Sequence, residues 1–173
     1  MPQAPERLSP PFMLSRVFNA PRELVWQALT QLEHLGRWMS PAGLEPVPGS
    51  IDLRVGGVYH YGMKTPDGNI MWGKWTFREI VAPERLVVVV NFSDAQQGVT
   101  RHPMAVNWPL STLSTTTLTE EGGRTRMSLQ WQALDATDEE NATFDGAHAG
   151  MTQGWGGTMN QLDAYLVQLQ APA

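Results

Sequence analysis

Hydrophobic and polar residues alternate along much of the chain between residues 51 and 134, as expected for β-strands with one buried face. Turn sequences such as Thr-Pro-Asp-Gly-Asn at residues 65–69 and Glu-Glu-Gly-Gly-Arg at residues 120–124 separate the alternating segments. Such short connections join neighbouring strands as hairpins, so the pattern predicts an antiparallel meander. The predicted strands are residues 12–18, 58–64, 70–80, 86–92, 110–119 and 125–134.

Helical periodicity occurs at two places. After Pro21, which suits a first helical turn, apolar residues recur at helical spacing up to Leu32, and residues 34–38 predict a further turn or two. Residues up to 50 then contain too many Pro and Gly for regular structure. A long C-terminal helix is predicted from Thr137, whose hydroxyl and the side chain of Glu140 have capping-box spacing. Its apolar face consists of Phe144, His148, Met151, Trp155, Met159, Leu162, Leu166 and Leu169.

These elements predict one α+β domain over residues 12–170. A curved antiparallel sheet of about six or seven strands surrounds the long C-terminal helix, and two short helices follow the first strand. Residues 1–11 contain four prolines and are expected to form a disordered tail.

Glycines form an unusual stripe on the predicted C-terminal helix. Gly146, Gly150, Gly154 and Gly157 are separated by four, four and three residues, and Gly156 adds a fifth. Each costs about 1 kcal/mol relative to alanine in a helix interior. Either a strand packs closely against the stripe, or the helix kinks there, or space is left for a ligand.

Large aromatic and methionine side chains suggest an apolar pocket between the sheet and this helix. Alternation places Tyr59, Tyr61 and Met63 on one face of their strand, and Trp75 and Phe77 on one face of the next. An ordinary aromatic core is the alternative. The predicted ligand-binding residues are Trp38, Tyr59, Tyr61, Met63, Trp75, Phe77, Trp108, Phe144, His148, Met151 and Trp155.

Composition narrows the function classes. The net charge of -5 and the scattered 12 Lys and Arg argue against a nucleic-acid partner. The chain has no cysteine and no paired-histidine motif, so neither a metal site nor a cofactor is predicted. The longest aliphatic run, residues 86–90, is too short to cross a bilayer, and we expect a cytoplasmic protein.

Several short motifs occur in an order that resembles one known family. They include Arg16-Val17-Phe18-Asn19-Ala20-Pro21, Asp52-Leu53-Arg54-Val55-Gly56-Gly57, Pro66-Asp67-Gly68, Pro83-Glu84-Arg85-Leu86 and Gly154-Trp155. Together they are similar to the activator of heat-shock protein 90 ATPase homologue family, within the START-like or SRPBCC superfamily. The resemblance spans residues 12–169. It implies a helix-grip fold with a cavity between the sheet and the last helix, but no single activity.

Three functions follow from this reasoning. The first is a non-enzymatic protein that binds a small lipophilic molecule, as a monomer or weak homodimer. The second, an activity that the superfamily resemblance implies, is a polyketide cyclase or aromatase in which Tyr61, His148 or Asp145 transfers a proton. The third, implied by the resemblance, is a chaperone-interaction module that uses an exposed surface. The apolar loop at residues 94–109 is a hypothetical lid over the pocket, with Trp38 at the same opening.

Overall fold

A computed structural model describes residues 4–172 and gives a helix-grip fold. It contains an antiparallel sheet, two short helices after the first strand and a long helix at the C-terminus, as predicted. The strands are β1 Phe12–Phe18, β2 Glu45–Ile51, β3 Val58–Lys64, β4 Ile70–Val81, β5 Arg85–Ser93, β6 Val99–Thr100, β7 Ser111–Glu121 and β8 Arg124–Leu134. The helices are α1 Arg22–Thr30, α2 Leu32–Trp38, α3 Asp138–Gly146 and α4 His148–Gln170.

The curved sheet has the strand order β1-β8-β7-β5-β4-β3-β2, with the short β6 paired to β5. Residues opposite one another in antiparallel strands share a face. One such row runs from Phe12 through Trp131, Ser114 and Val88 to Phe77. Phe77 and Val88 belong to the core beneath the helices, so this row marks the inner face of the sheet.

Strand β2 was not predicted, because residues up to 50 were expected to lack regular structure. Glu45–Ile51 nevertheless pairs with β3, and the register shifts between Val47 and Ser50. Proline cannot donate a hydrogen bond to a neighbouring strand and is therefore tolerated at a sheet edge. Pro46 and Pro48 meet this condition because β2 is an edge strand. With β2 and the two-residue β6, the sheet has eight strands rather than six or seven.

Helices α1 and α2 pack against one end of the inner face. Val25 and Leu29 of α1 and Leu35 of α2 are buried in the same core as Leu162 and Leu166 of α4. The side-chain amide of Gln161 in α4 donates to the carbonyl oxygens of Trp38 and Ser40, at 2.8 Å and 2.7 Å. These bonds join the end of α2 to the long helix.

The C-terminal segment is two helices rather than one. The capping box predicted at Thr137 is present, since the Thr137 backbone N–H donates to Glu140 Oε2 and the Glu140 N–H donates to Thr137 Oγ1. Helix α3 ends at Gly146, and α4 begins at His148. The kink that the glycines suggested therefore occurs at Ala147, and glycine at this boundary is consistent with a helix end.

Residues 7–9 differ from the disordered tail that was expected. The backbone N–H groups of Ser9 and Asp135 donate to the carbonyl oxygens of Ala133 and Arg7, at 3.1 Å and 2.8 Å. The side-chain amide of Gln132 also donates to the Ser9 carbonyl oxygen. This segment is held because it satisfies backbone and side-chain groups at the end of β8.

Candidate functional site

The residues predicted to bind a ligand lie in two aromatic clusters beneath α4. The first cluster, against α2 and the C-terminal half of α4, contains Trp38, Tyr59, Trp75 and Phe77, with Tyr61 packed against it. The second, against α3 and the N-terminal half of α4, contains Phe144 and Met151, with Trp108 and Trp155 packed against it. His148 contacts the second cluster through its ring, and Met63 lies on β3 beside the first.

Two tyrosines and a tryptophan form the centre of the first cluster. The rings of Tyr59 and Tyr61 are stacked with 5.0 Å between their centroids. The Trp75 ring meets both edge-on, at 5.1 Å from Tyr59 and 6.3 Å from Tyr61. Strand register explains this, because Trp75 lies opposite Tyr59 and Gly73 lies opposite Tyr61. Gly73 has no side chain, which leaves room for the Tyr61 ring.

Both phenols in this cluster stay neutral at physiological pH. Burial raises the pKa of Tyr61 to about 12, against the opposing effect of a hydrogen bond with Trp75. Burial, followed by the neighbouring Tyr61, raises the pKa of Tyr59 as well. The cluster therefore presents apolar ring surface with hydroxyl groups and no charge of its own.

Trp38 is part of the core rather than an opening. Its side chain is buried, and its indole N–H donates to the Ala28 carbonyl oxygen at 2.9 Å. Phe77 is also fully buried. Both residues support the cluster from behind.

The second cluster contains a residue that sequence analysis did not select. Trp131 of β8 lies 5.5 Å from the Phe144 ring, 5.9 Å from Trp108 and 6.2 Å from Trp155, measured between ring centroids. Alternation along β8 could have identified it, since Trp131 follows Met127 and Leu129 at every second position. Its indole nitrogen is buried without a hydrogen-bond partner.

The three candidate proton-transfer residues are not brought together. His148 Nε2 lies 3.8 Å from Asp145 Oδ1, beyond hydrogen-bond distance, and has no hydrogen-bond partner. The His148 ring packs on Phe12 and Phe144 in the second cluster. Tyr61 belongs to the first cluster, so a proton-transferring pair of Tyr61 and His148 is absent.

The glycine stripe of the last two helices faces open space. A Cβ atom added at Gly146, Gly150, Gly154 or Gly157 would have no other atom within 4 Å. All four residues are exposed. Neither close packing against a strand nor a cavity beneath the stripe is present, and the ligand surface must be sought elsewhere.

Two grooves flank the end of α2. The first groove has a volume of about 400 Å³ and lies between α2, β2 and β3, with Tyr59, Tyr61 and Met63 along its floor. The second has a volume of about 500 Å³ and lies between the α2–β2 connection and α4, where Tyr165 and Gln168 line it. Both volumes fall in the range of small-molecule sites.

The loop predicted as a lid reaches the second cluster. Trp108 packs on Phe144 with 5.5 Å between centroids, and Asn107 donates to Glu139 Oε1 at 2.8 Å. Arg101 forms an ion pair with Glu140 of the capping box. These contacts hold the loop against α3, while Met104 remains 79% exposed. The loop does not line either groove.

Within residues 4–172, no group of three or more His, Asp or Glu side chains is arranged to hold a metal ion. No helix in the described part of the chain is long and apolar enough to span a membrane.

Comparison with known proteins gives the same fold. The family model for activator of Hsp90 ATPase homolog 1-like protein matches residues 19–167. No curated protein matches the chain. A solved structure from Arthrobacter aurescens is 28% identical with a TM-score of 0.72, covering 94% of this chain and 87% of that one. A protein of Nitrosomonas europaea is 24% identical with a TM-score of 0.72, covering 94% and 97%. The AHSA1 protein from Silicibacter pomeroyi is 16% identical with a TM-score of 0.69, covering 93% and 100%.

Proposed function

This chain belongs to the activator of Hsp90 ATPase homolog 1-like protein family, and we propose that it binds a small lipophilic molecule in the groove between α2, β2 and β3. The observation that carries the proposal is the floor of that groove. Tyr59, Tyr61 and Met63, from one strand, line a space of about 400 Å³. An apolar concave surface with a few hydroxyl groups is the usual form of a small-molecule site.

The electrostatics of the floor favour an uncharged, apolar body. Both phenols are neutral at physiological pH, since the ordinary pKa of tyrosine is about 10 and burial raises it further here. Binding would remove apolar surface in the groove from water, which contributes about 25 cal/mol of binding free energy for each Å² buried. The hydroxyl groups of Tyr59 and Tyr61 would then orient the ligand by hydrogen bonds.

Binding without catalysis fits this arrangement better than a cyclase reaction. General acid–base catalysis needs a proton donor and acceptor within reach of the same substrate. Tyr61 lies in the first cluster, and His148 and Asp145 lie at the second. Interaction with a chaperone, which the family's description suggests, would use an exposed surface instead of the groove.

Native mass spectrometry of freshly purified protein is the first test, followed by a thermal-shift screen of steroids, flavonoids and fatty acids. A ligand at one hundred times its Kd stabilises the folded state by about 2.7 kcal/mol. At this chain length that corresponds to a rise in Tm of about 5–11 °C. We expect a retained mass or a shift of this size for at least one class.

Two methionine variants show whether the ligand occupies the groove. Met63→Trp fills its floor, whereas Met13→Trp adds the same ring on β1, where Met13 is 65% exposed. We expect Met63→Trp to abolish ligand binding and Met13→Trp to leave it unchanged. Absence of any retained mass and any stabilisation across the panel would contradict the proposal. Chaperone binding that survives Met63→Trp would favour the surface-mediated function.

A further inference from the structure

The two grooves meet on the last turn of α2. Gly36, Arg37, Ser40 and Pro46 line both of them. A Cβ atom added at Gly36 would have no neighbour within 4 Å, so no other group covers this residue, which lines both grooves. A single ligand can therefore extend from the tyrosine floor of the first groove, across Gly36, into the second.

Charge is distributed unequally between the grooves. Arg37 is the only charged side chain that lines the second groove, within the described residues. The first groove also contains Glu33, one turn earlier on α2. Helical residues four positions apart often form an ion pair. Here the Glu33 carboxylate instead lies 3.9 Å from His34 Nε2.

The guanidinium of Arg37 is left without a partner. In the described part of the chain, no carboxylate lies within 4.0 Å of Arg37, Arg7 or Arg124, whereas the other seven arginines each have one. Of these three arginines, Arg37 alone lines a groove. Guanidinium binds carboxylates with two parallel hydrogen bonds. A free guanidinium at the junction of two grooves is therefore suited to an anionic group on a ligand.

We infer that the two grooves form one site for an amphiphile with a carboxylate, whose apolar part lies on Tyr59 and Tyr61 and whose carboxylate pairs with Arg37. This inference rests on the proposed function, since it requires the first groove to hold a lipophilic body. It adds the chemical class of the ligand. A neutral lipophile of the same length should also bind on Tyr59 and Tyr61, but the Arg37 guanidinium should not increase its affinity.

Isothermal titration calorimetry with decanoate and decan-1-ol, below micelle-forming concentrations and at neutral pH, tests this inference. Decanoate should bind up to about fivefold more tightly, because an ion pair with an exposed arginine contributes up to about 1 kcal/mol. The preference should shrink as salt is added. Arg37→Gln should remove the preference without weakening decan-1-ol binding.

The control is Arg124→Gln, which removes an exposed arginine at the start of β8, away from both grooves. It should keep the preference for decanoate. Gly36→Leu should weaken decanoate binding, because its side chain would stand between the grooves. Equal affinities for the two ligands, or a preference that survives Arg37→Gln, would overturn the inference and leave groove binding intact. Failure of both ligands and of the screening panel would contradict the groove function itself and the inference with it.

Discussion

The glycines of α4 allow a sharp test of how the long helix is placed. Gly154 and Gly157 lie in the interior of the helix and are exposed, and a Cβ atom at either would meet nothing within 4 Å. Replacing both with alanine therefore introduces no clash. The variant should gain the helix propensity that glycine lacks, which is about 0.5–1 kcal/mol at each position.

The expected effect of the double substitution is a stabilisation of about 1–2 kcal/mol. For a chain of this length, that raises Tm by about 2–8 °C. Differential scanning calorimetry and chemical denaturation measure it, and the denaturant m-value should not change. Ligand binding in the groove should also be unchanged, because neither glycine lines it.

Gly57→Ala is the matched control, and we expect it to destabilise the protein rather than stabilise it. A Cβ atom there would collide with the backbone carbonyl oxygen of Asp52, which cannot move as a side chain can. We expect a loss of about 1–3 kcal/mol. Destabilisation by Gly154→Ala and Gly157→Ala would refute the reasoning, because it would mean that this face of α4 contacts another surface closely.

Two further predictions concern the ion pair at α3 and the tyrosine cluster. Burial acts to raise the pKa of Glu140, but hydrogen bonds from Arg101 and the Thr137 backbone, with the charge of Arg101, lower it below its ordinary value of 4.5. Glu140→Gln should therefore lower the free energy of unfolding by about 0.5–1.5 kcal/mol above pH 4.5. The difference between the variant and the unsubstituted protein should disappear as the pH falls through the lowered pKa. Urea denaturation at several pH values measures it, and a difference that does not depend on pH would argue against this origin. Gly73→Ala would place a Cβ atom 2.6 Å from Cζ and Oη of Tyr61, so the ring must move. We expect weaker ligand binding with a smaller change in Tm than Gly57→Ala gives, and unchanged near-ultraviolet circular dichroism would contradict it.

Alternation and turn chemistry predicted six of the eight strands and missed β2 and β6. Residues 58–64 match β3, and the Thr137 capping box appears as expected. The break at Ala147 could not be placed, since apolar residues continue at helical spacing from Phe144 to Met151. Periodicity specifies a helix face but leaves open whether the chain stays straight along it.

The sequence predicted only part of the geometry around the first groove. It placed Tyr59, Tyr61 and Met63 on one face because strand alternation fixes which side chains share a face, and all three line that groove. Sequence analysis grouped Phe144 and Trp155 with these residues in one pocket, whereas they lie in the second cluster. Periodicity cannot separate the two clusters, because the separation depends on where α4 crosses the sheet. Arg37 gave no signal in the sequence, since a basic residue in the last turn of a helix is common.

The edge strand that sequence analysis missed also forms a wall of the proposed site. Pro46 and Pro48 interrupt the alternation of β2 and limit its hydrogen bonding, and the register shift after Val47 bends it relative to β3. All three residues line the first groove. Prolines at an edge also discourage pairing with another chain. The prolines and the register shift of β2 therefore occur where we propose that the ligand binds. Local irregularity of this kind is expected where function competes with regular structure.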